Sequence, residues 1–124
     1  MQLTPESGGN INLVRSISPG RIQVRDKEYT SSVILTAETV LEWNCRSVPA
    51  LTPSDFEPIL QFDPEVVLLG SGSSLGFPER QIGIRFGLQG IGFEVMDTAA
   101  ACRTYNLLVH EGRRVVAALI IEPA

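Results

Sequence analysis

Two runs of this chain are apolar at every position: Val66-Val67-Leu68-Leu69 and the stretch from Val115 to Ile121. A strand with one wet face alternates apolar and polar residues, whereas strands covered on both faces do not. Two such runs therefore require a sheet with structure packed above and below it. Neither run approaches the roughly 20 residues that a membrane-spanning helix needs.

The chain before Val66 reads as strands. Ile11, Leu13 and Ile17 share a parity, Ser18-Pro19-Gly20 makes a turn, and Ile22 and Val24 alternate with Gln23 and Arg25. Asp26-Lys27-Glu28 then turns the chain into Tyr29 to Thr36, rich in β-branched residues, which completes an antiparallel meander of three strands. Residues 1–10 are polar, with Pro5 and Gly8-Gly9, and are read as a disordered N-terminus.

The second half changes period. Ser54-Asp55-Phe56-Glu57 fits a capping box, with Ser54 as N-cap, and predicts a short helix over Ser54–Phe62. Pro78 at the first helical position and Gly90 as a left-handed stop predict a second helix over Pro78–Gln89. Gly83 and Gly87 share one face of that helix, where a neighbour can approach closely. Gly92 to Met96 is a further strand, and Asp97 or Thr98 caps a third helix that stops at Gly112. The order from Val66 onward is strand–helix–strand–helix–strand, which implies parallel pairing with right-handed crossovers. Residues 11–124 are thus expected to form one α/β domain of three layers. Its central sheet is mixed because the antiparallel meander leads into βαβ units.

Composition narrows the function classes. The 124 residues, 44% hydrophobic and 19% charged, suffice for one buried core and are far from a disordered composition. The net charge of −4 argues against a nucleic-acid partner. Cys45 and Cys102 have no zinc spacing, and the single His110 cannot build a multi-imidazole metal site. One disulfide stays open to them. The N-terminus has no basic and apolar leader pattern, so the expected address is a reducing cytoplasm, and the short apolar runs lead us to expect no transmembrane segment.

The one stretch with candidate chemistry is Gly70-Ser71-Gly72-Ser73-Ser74-Leu75-Gly76, a glycine loop between a strand and a helix. Free N–H groups in such a loop attract anions. Its G-x-G-x-x-x-G spacing is one residue longer than the dinucleotide fingerprint, and no lysine follows as in a P-loop. Glu94 lies 22 residues beyond Gly72, near where a ribose-binding acid falls. If the Val66–Leu69 and Gly92–Met96 strands are parallel neighbours, the loop lies beside the third helix start. Ser71, Gly72, Ser73, Asp97, Thr98 and Arg103 then share one crevice that suits a small anionic ligand or nucleotide. An ordinary tight turn and a structural ion pair explain the same residues. Cys102 and His110 are about 12 Å apart along a helix, and no G-x-S-x-G elbow is present, so no catalytic residue is assigned.

Taken as a set, Glu94-Val95-Met96-Asp97-Thr98, Cys102-Arg103-Thr104-Tyr105-Asn106 and Glu111-Gly112-Arg113-Arg114-Val115 are distinctive. They resemble the small domain family that contains the mitochondrial NADH dehydrogenase (complex I) assembly factor 3 and uncharacterised bacterial and archaeal relatives. Ser32-Val33-Ile34-Leu35, Trp43 and Leu68-Leu69-Gly70-Ser71-Gly72 extend the likeness. It implies a three-layer α/β fold with a mixed sheet, and a non-enzymatic assembly role in the mitochondrial members. The chain is similar to the free-standing bacterial relatives. The expectation is therefore an interaction or assembly factor with protein partners, linked to respiratory-complex or membrane-protein biogenesis, with no cofactor and no metal. The alternative is a ligand-binding protein or enzyme that uses the crevice.

Overall fold

The computed structural model describes residues 11–123, so the expected disorder of residues 1–10 lies outside it. Among the described residues, eight strands form two sheets. The first three, β1 (Val14–Ser18), β2 (Arg21–Val24) and β3 (Lys27–Tyr29), make an antiparallel sheet of their own. The other five are β4 (Val33–Leu35), β5 (Val40–Glu42), β6 (Val66–Gly70), β7 (Gly92–Met96) and β8 (Val115–Leu119). They line up as β5-β4-β8-β6-β7.

The α/β class, the meander and the central mixed sheet are as the sequence indicates, but the mixing has another origin. β8 pairs parallel with β6 and antiparallel with β4, so the sheet changes sense at β8, and the meander is not part of it. The stretch from Tyr29 to Thr36 is correspondingly two strands in two sheets. The break spans residues 30–32, with a bend at Ser31, and Ser32 is already anchored at the start of β4 beside the chain flanking β5 and β8. Its carbonyl accepts from Trp43 N–H at 2.9 Å, and its buried hydroxyl accepts from Ile121 N–H at 3.0 Å. The hairpin turn sits one residue earlier than expected, at Arg25 and Asp26, with Arg25 at φ 56.

The first helix also starts in a different register. Two overlapping box patterns exist, and Pro53 decides between them, since proline fits the position after an N-cap. Thr52 is that cap, and Asp55 Oδ2 accepts its N–H at 2.8 Å. A 3₁₀ turn, Pro53–Phe56, then runs into α1 (Glu57–Leu60). The second helix, α2 (Arg80–Leu88), begins after Pro78, with Glu79 as N-cap, and stops at Gly90 with φ 74. The third, α3 (Thr98–His110), is capped by Asp97 and ends at Gly112 with φ 78.

Period-two alternation in the buried strands sorts the core. Leu68, Val115, Ala117 and Leu119 face the meander and α3, where Ala101, Cys102, Tyr105 and Val109 meet Ile22 and Val24. Val67, Leu69, Val116, Ala118 and Ile120 face the opposite layer, where Trp43, Phe56, Ile82 and Phe86 gather. β6 and β8 are buried at every residue, as their uninterrupted apolar runs require. The Asn106 amide clamps β1 to α3, accepting from Val14 N–H and donating to Val14 O, both at 2.9 Å.

Connectivity brings three chain segments to one edge. β6 leads through α2 to its neighbour β7, and β7 leads through α3 to β8 on the other side of β6. The residues after β6, β7 and β8 therefore converge at the carboxyl ends of three parallel strands.

Candidate functional site

The loop after β6 is pinned from two sides. Ser71 N–H donates to Met96 O at 2.8 Å, and Ile120 N–H donates to Gly70 O at 3.0 Å. Thr98, buried at the start of α3, closes the arrangement. Its hydroxyl donates to Ile120 O at 2.7 Å and accepts from Gly72 N–H at 2.8 Å, while its own N–H donates to Gly72 O at 2.9 Å. One hydroxyl thus joins the loops that follow β6, β7 and β8. Gly70 is required here, because a Cβ on it would lie 2.9 Å from Thr98 Oγ1.

At the crevice, the Gly72 and Ser73 donors that the sequence offered to an external anion have internal partners. Ser73 N–H and Ser73 Oγ both donate to Glu122 Oε1, at 2.9 and 2.8 Å. Those bonds, the backbone one foremost, hold the Glu122 carboxyl below its ordinary range. Gly72 makes room for that carboxylate: with φ 103, a Cβ there would sit 2.7 Å from Glu122 Cδ. An external anion at this loop would have to displace Glu122.

A crevice of about 510 Å³ opens beside this junction. It lies between the β1–β2 hairpin tip, the Gly72-Ser73 turn, the first residues of α3 and the chain after β8. Gly72, Ser73, Asp97 and Thr98 line it together. Ser71 lies behind them, buried, with its hydroxyl donating to Ser74 O at 2.7 Å and accepting from Gly76 N–H at 3.1 Å. Arg103 is exposed further along α3 and is not among the lining residues, nor is Glu94 on β7. The cation of the crevice wall is Arg21 instead. Its Nε donates to Ser18 Oγ at 3.0 Å, and its Nη1 lies 3.8 Å from Glu28 Oε1. Asp97 Oδ1 caps α3 by accepting from Ala100 N–H at 2.8 Å.

A family model described as "Protein of unknown function (DUF498/DUF598)" matches residues 14–120, and so covers the meander, the loop and α3. The chain belongs to this family. A mouse protein named NADH dehydrogenase [ubiquinone] 1 alpha subcomplex assembly factor 3 is 37% identical over 92 residues, which is 73% of this chain and 50% of that protein. The chain thus spans about half the length of that relative. A "13 kDa major membrane protein" from Francisella tularensis is 33% identical over 103 residues, 82% of this chain and 84% of that protein. Among solved structures, a Bordetella parapertussis protein superposes with a TM-score of 0.85 at 32% identity, covering 90% of this chain and 97% of its own. One from Xanthomonas campestris gives 0.82 at 34% identity, covering 98% and 92%.

Within this family fold, sequence reasoning missed Glu122 and Arg21. Arg21 belongs to a hairpin whose place over the sheet edge is set by tertiary packing alone. Glu122 did leave a signal: it follows the Val115–Ile121 run just as the glycine loop follows Val66–Leu69. The parallel register pairs Gly70 with Leu119, which brings the residues after each side by side. Among the described residues, no group of three or more His, Cys, Asp or Glu side chains forms a metal cluster, and no helix is long and apolar enough to cross a membrane.

Proposed function

We propose that this chain is a protein-interaction factor that serves the assembly of a membrane-embedded respiratory complex. The observation that carries the reading is a set of exposed apolar side chains on and just before α2. Of seven exposed large hydrophobic side chains among the described residues, four fall here: Leu75, Phe77, Ile84 and Leu88, with Phe77 71% and Leu88 83% exposed. Ile84 and Leu88 are one turn apart on the face opposite the buried Ile82 and Phe86. Single exposed hydrophobic residues are ordinary, but a concentration of them marks an interaction surface. The names of the mammalian relatives supply the class of partner. The acidic net charge favours protein over nucleic acid as partner.

Affinity purification from the native host, comparing the wild type with the double variant Phe77→Ser and Leu88→Ser, tests this. Respiratory-complex subunits recovered with the wild type and lost with the variant are expected. Equal recovery by both, or no stable partner from either, contradicts the reading.

A further inference from the structure

We propose that the crevice at the carboxyl edge of the central sheet binds an alkylammonium or guanidinium group carried on a short apolar chain. The volume of about 510 Å³ falls in the range of small-ligand sites, and this edge is where open α/β sheets bind ligands. Its walls are largely apolar, with Ile17 and Pro19 on the hairpin side and Ile120 and Ile121 on the tail side.

Charge selects the head group. Two carboxylates, Asp97 and Glu122, line the crevice, and each has one oxygen committed: Asp97 Oδ1 to Ala100 N–H, and Glu122 Oε1 to Ser73. Among the described residues, the second oxygen of each accepts no hydrogen bond and neither side chain is in an ion pair. The one cation of the wall, Arg21, faces Glu28. The positive end of α3 amounts to about half a charge, which the Asp97 carboxylate more than offsets. An anion entering here meets two carboxylates and loop donors already in use. A neutral ligand leaves the two open oxygens without a donor. An ammonium or guanidinium supplies donors to both while its chain covers the isoleucines.

That head group is either a free amine or a lysine or arginine side chain of a partner protein, and the test separates them. Amide chemical shifts of the labelled protein are followed on titration with hexylammonium, an acetylated leucine–arginine dipeptide amide, hexanol and hexanoate. Hexylammonium or the dipeptide should move the amides of Ser73, Ala99 and Ile120, with hexanol weaker by about tenfold, the difference expected for a charge-assisted hydrogen bond. Binding by the dipeptide alone assigns the site to a partner's side chain, and binding by hexylammonium alone assigns it to a free amine. Asp97→Asn retains the cap and Glu122→Gln retains the loop acceptor, so each should stay folded at the titration temperature, checked by its amide spectrum, and weaken binding about tenfold. The proposal is overturned if hexanol binds as tightly as hexylammonium, if hexanoate binds more tightly than either cation, if the neutral variants bind unchanged, or if none of the four probes shifts the amides.

Discussion

Ser73 gives both its backbone N–H and its hydroxyl to one oxygen of Glu122, which ties the end of the described chain to a loop 49 positions earlier. Because these bonds favour the ionised form, the folded-state pKa of Glu122 lies below its ordinary value of 4.5. A depressed carboxyl contributes stability above the unfolded-state pKa, and that contribution is lost as pH falls through the folded-state pKa. The wild type should therefore melt above Glu122→Gln near about pH 6, and the gap should close toward about pH 3. Glu65, lowered chiefly by its hydrogen bond from Arg114 N–H, shifts in the same direction but is present in both proteins and cancels in the difference. A gap that stays constant with pH contradicts the argument.

Gly72→Ala tests the same contact from the other side. The position has φ 103, and the added Cβ would stand 2.7 Å from Glu122 Cδ. Holding an L-residue at such a φ costs about 1–3 kcal/mol, and the glutamate must also leave Ser73. Urea denaturation should show a loss of at least that size, and the acid dependence of the variant should resemble that of Glu122→Gln.

Thr98 is the larger structural risk. Its hydroxyl serves Gly72 N–H and Ile120 O, both in buried surroundings. Thr98→Val keeps the shape but strands one buried donor and one buried acceptor, for a cost of about 2–4 kcal/mol. Thr98→Ser keeps both bonds and removes one methyl, so its cost should be about 1 kcal/mol. If the two variants are equally stable in denaturant titration, the hydroxyl does not join the loops as described.

The parts of the fold that could be read from sequence are those where a local pattern and its tertiary consequence agree. Val66–Leu69 and Val115–Ile121 announce two doubly covered strands because no polar residue interrupts them, and β6 and β8 lie inside the sheet. Asp97, Gly90 and Gly112 mark helix ends through backbone requirements that act within a turn. The division of Tyr29 to Thr36 between two sheets was not legible, since it depends on Ser32 meeting Trp43 and Ile121 from far along the chain. Gly83 and Gly87 look alike in sequence, yet only Gly83 faces a neighbour, with a Cβ there 3.3 Å from Phe93. The crevice was legible in part: topology brings Gly72, Ser73, Asp97 and Thr98 together, whereas Arg103 lies too far along α3 and Arg21 arrives from the meander.

The two thiols supply the last prediction. Cys102 belongs to the core on the α3 side of the sheet and Cys45 to the core on the opposite side, and both are free. The sheet between them prevents a disulfide, so mild oxidation of the folded protein should produce no loss of two mass units. Burial is the main reason that each thiol is pushed up to about 12. Asp55 raises Cys45 further, while Arg103 opposes the shift at Cys102. With a pKa near 12, only about one thiol in ten thousand is ionised at pH 8, and the thiolate is the reactive form. Iodoacetamide should thus leave both cysteines unmodified in the folded state and alkylate both in denaturant. Slow labelling that does occur should accelerate in the Thr98→Val variant, because it proceeds through opening of the fold. Rapid native-state alkylation of either residue, read by intact mass and peptide mapping, would show that its layer of the core is more open than the structure describes.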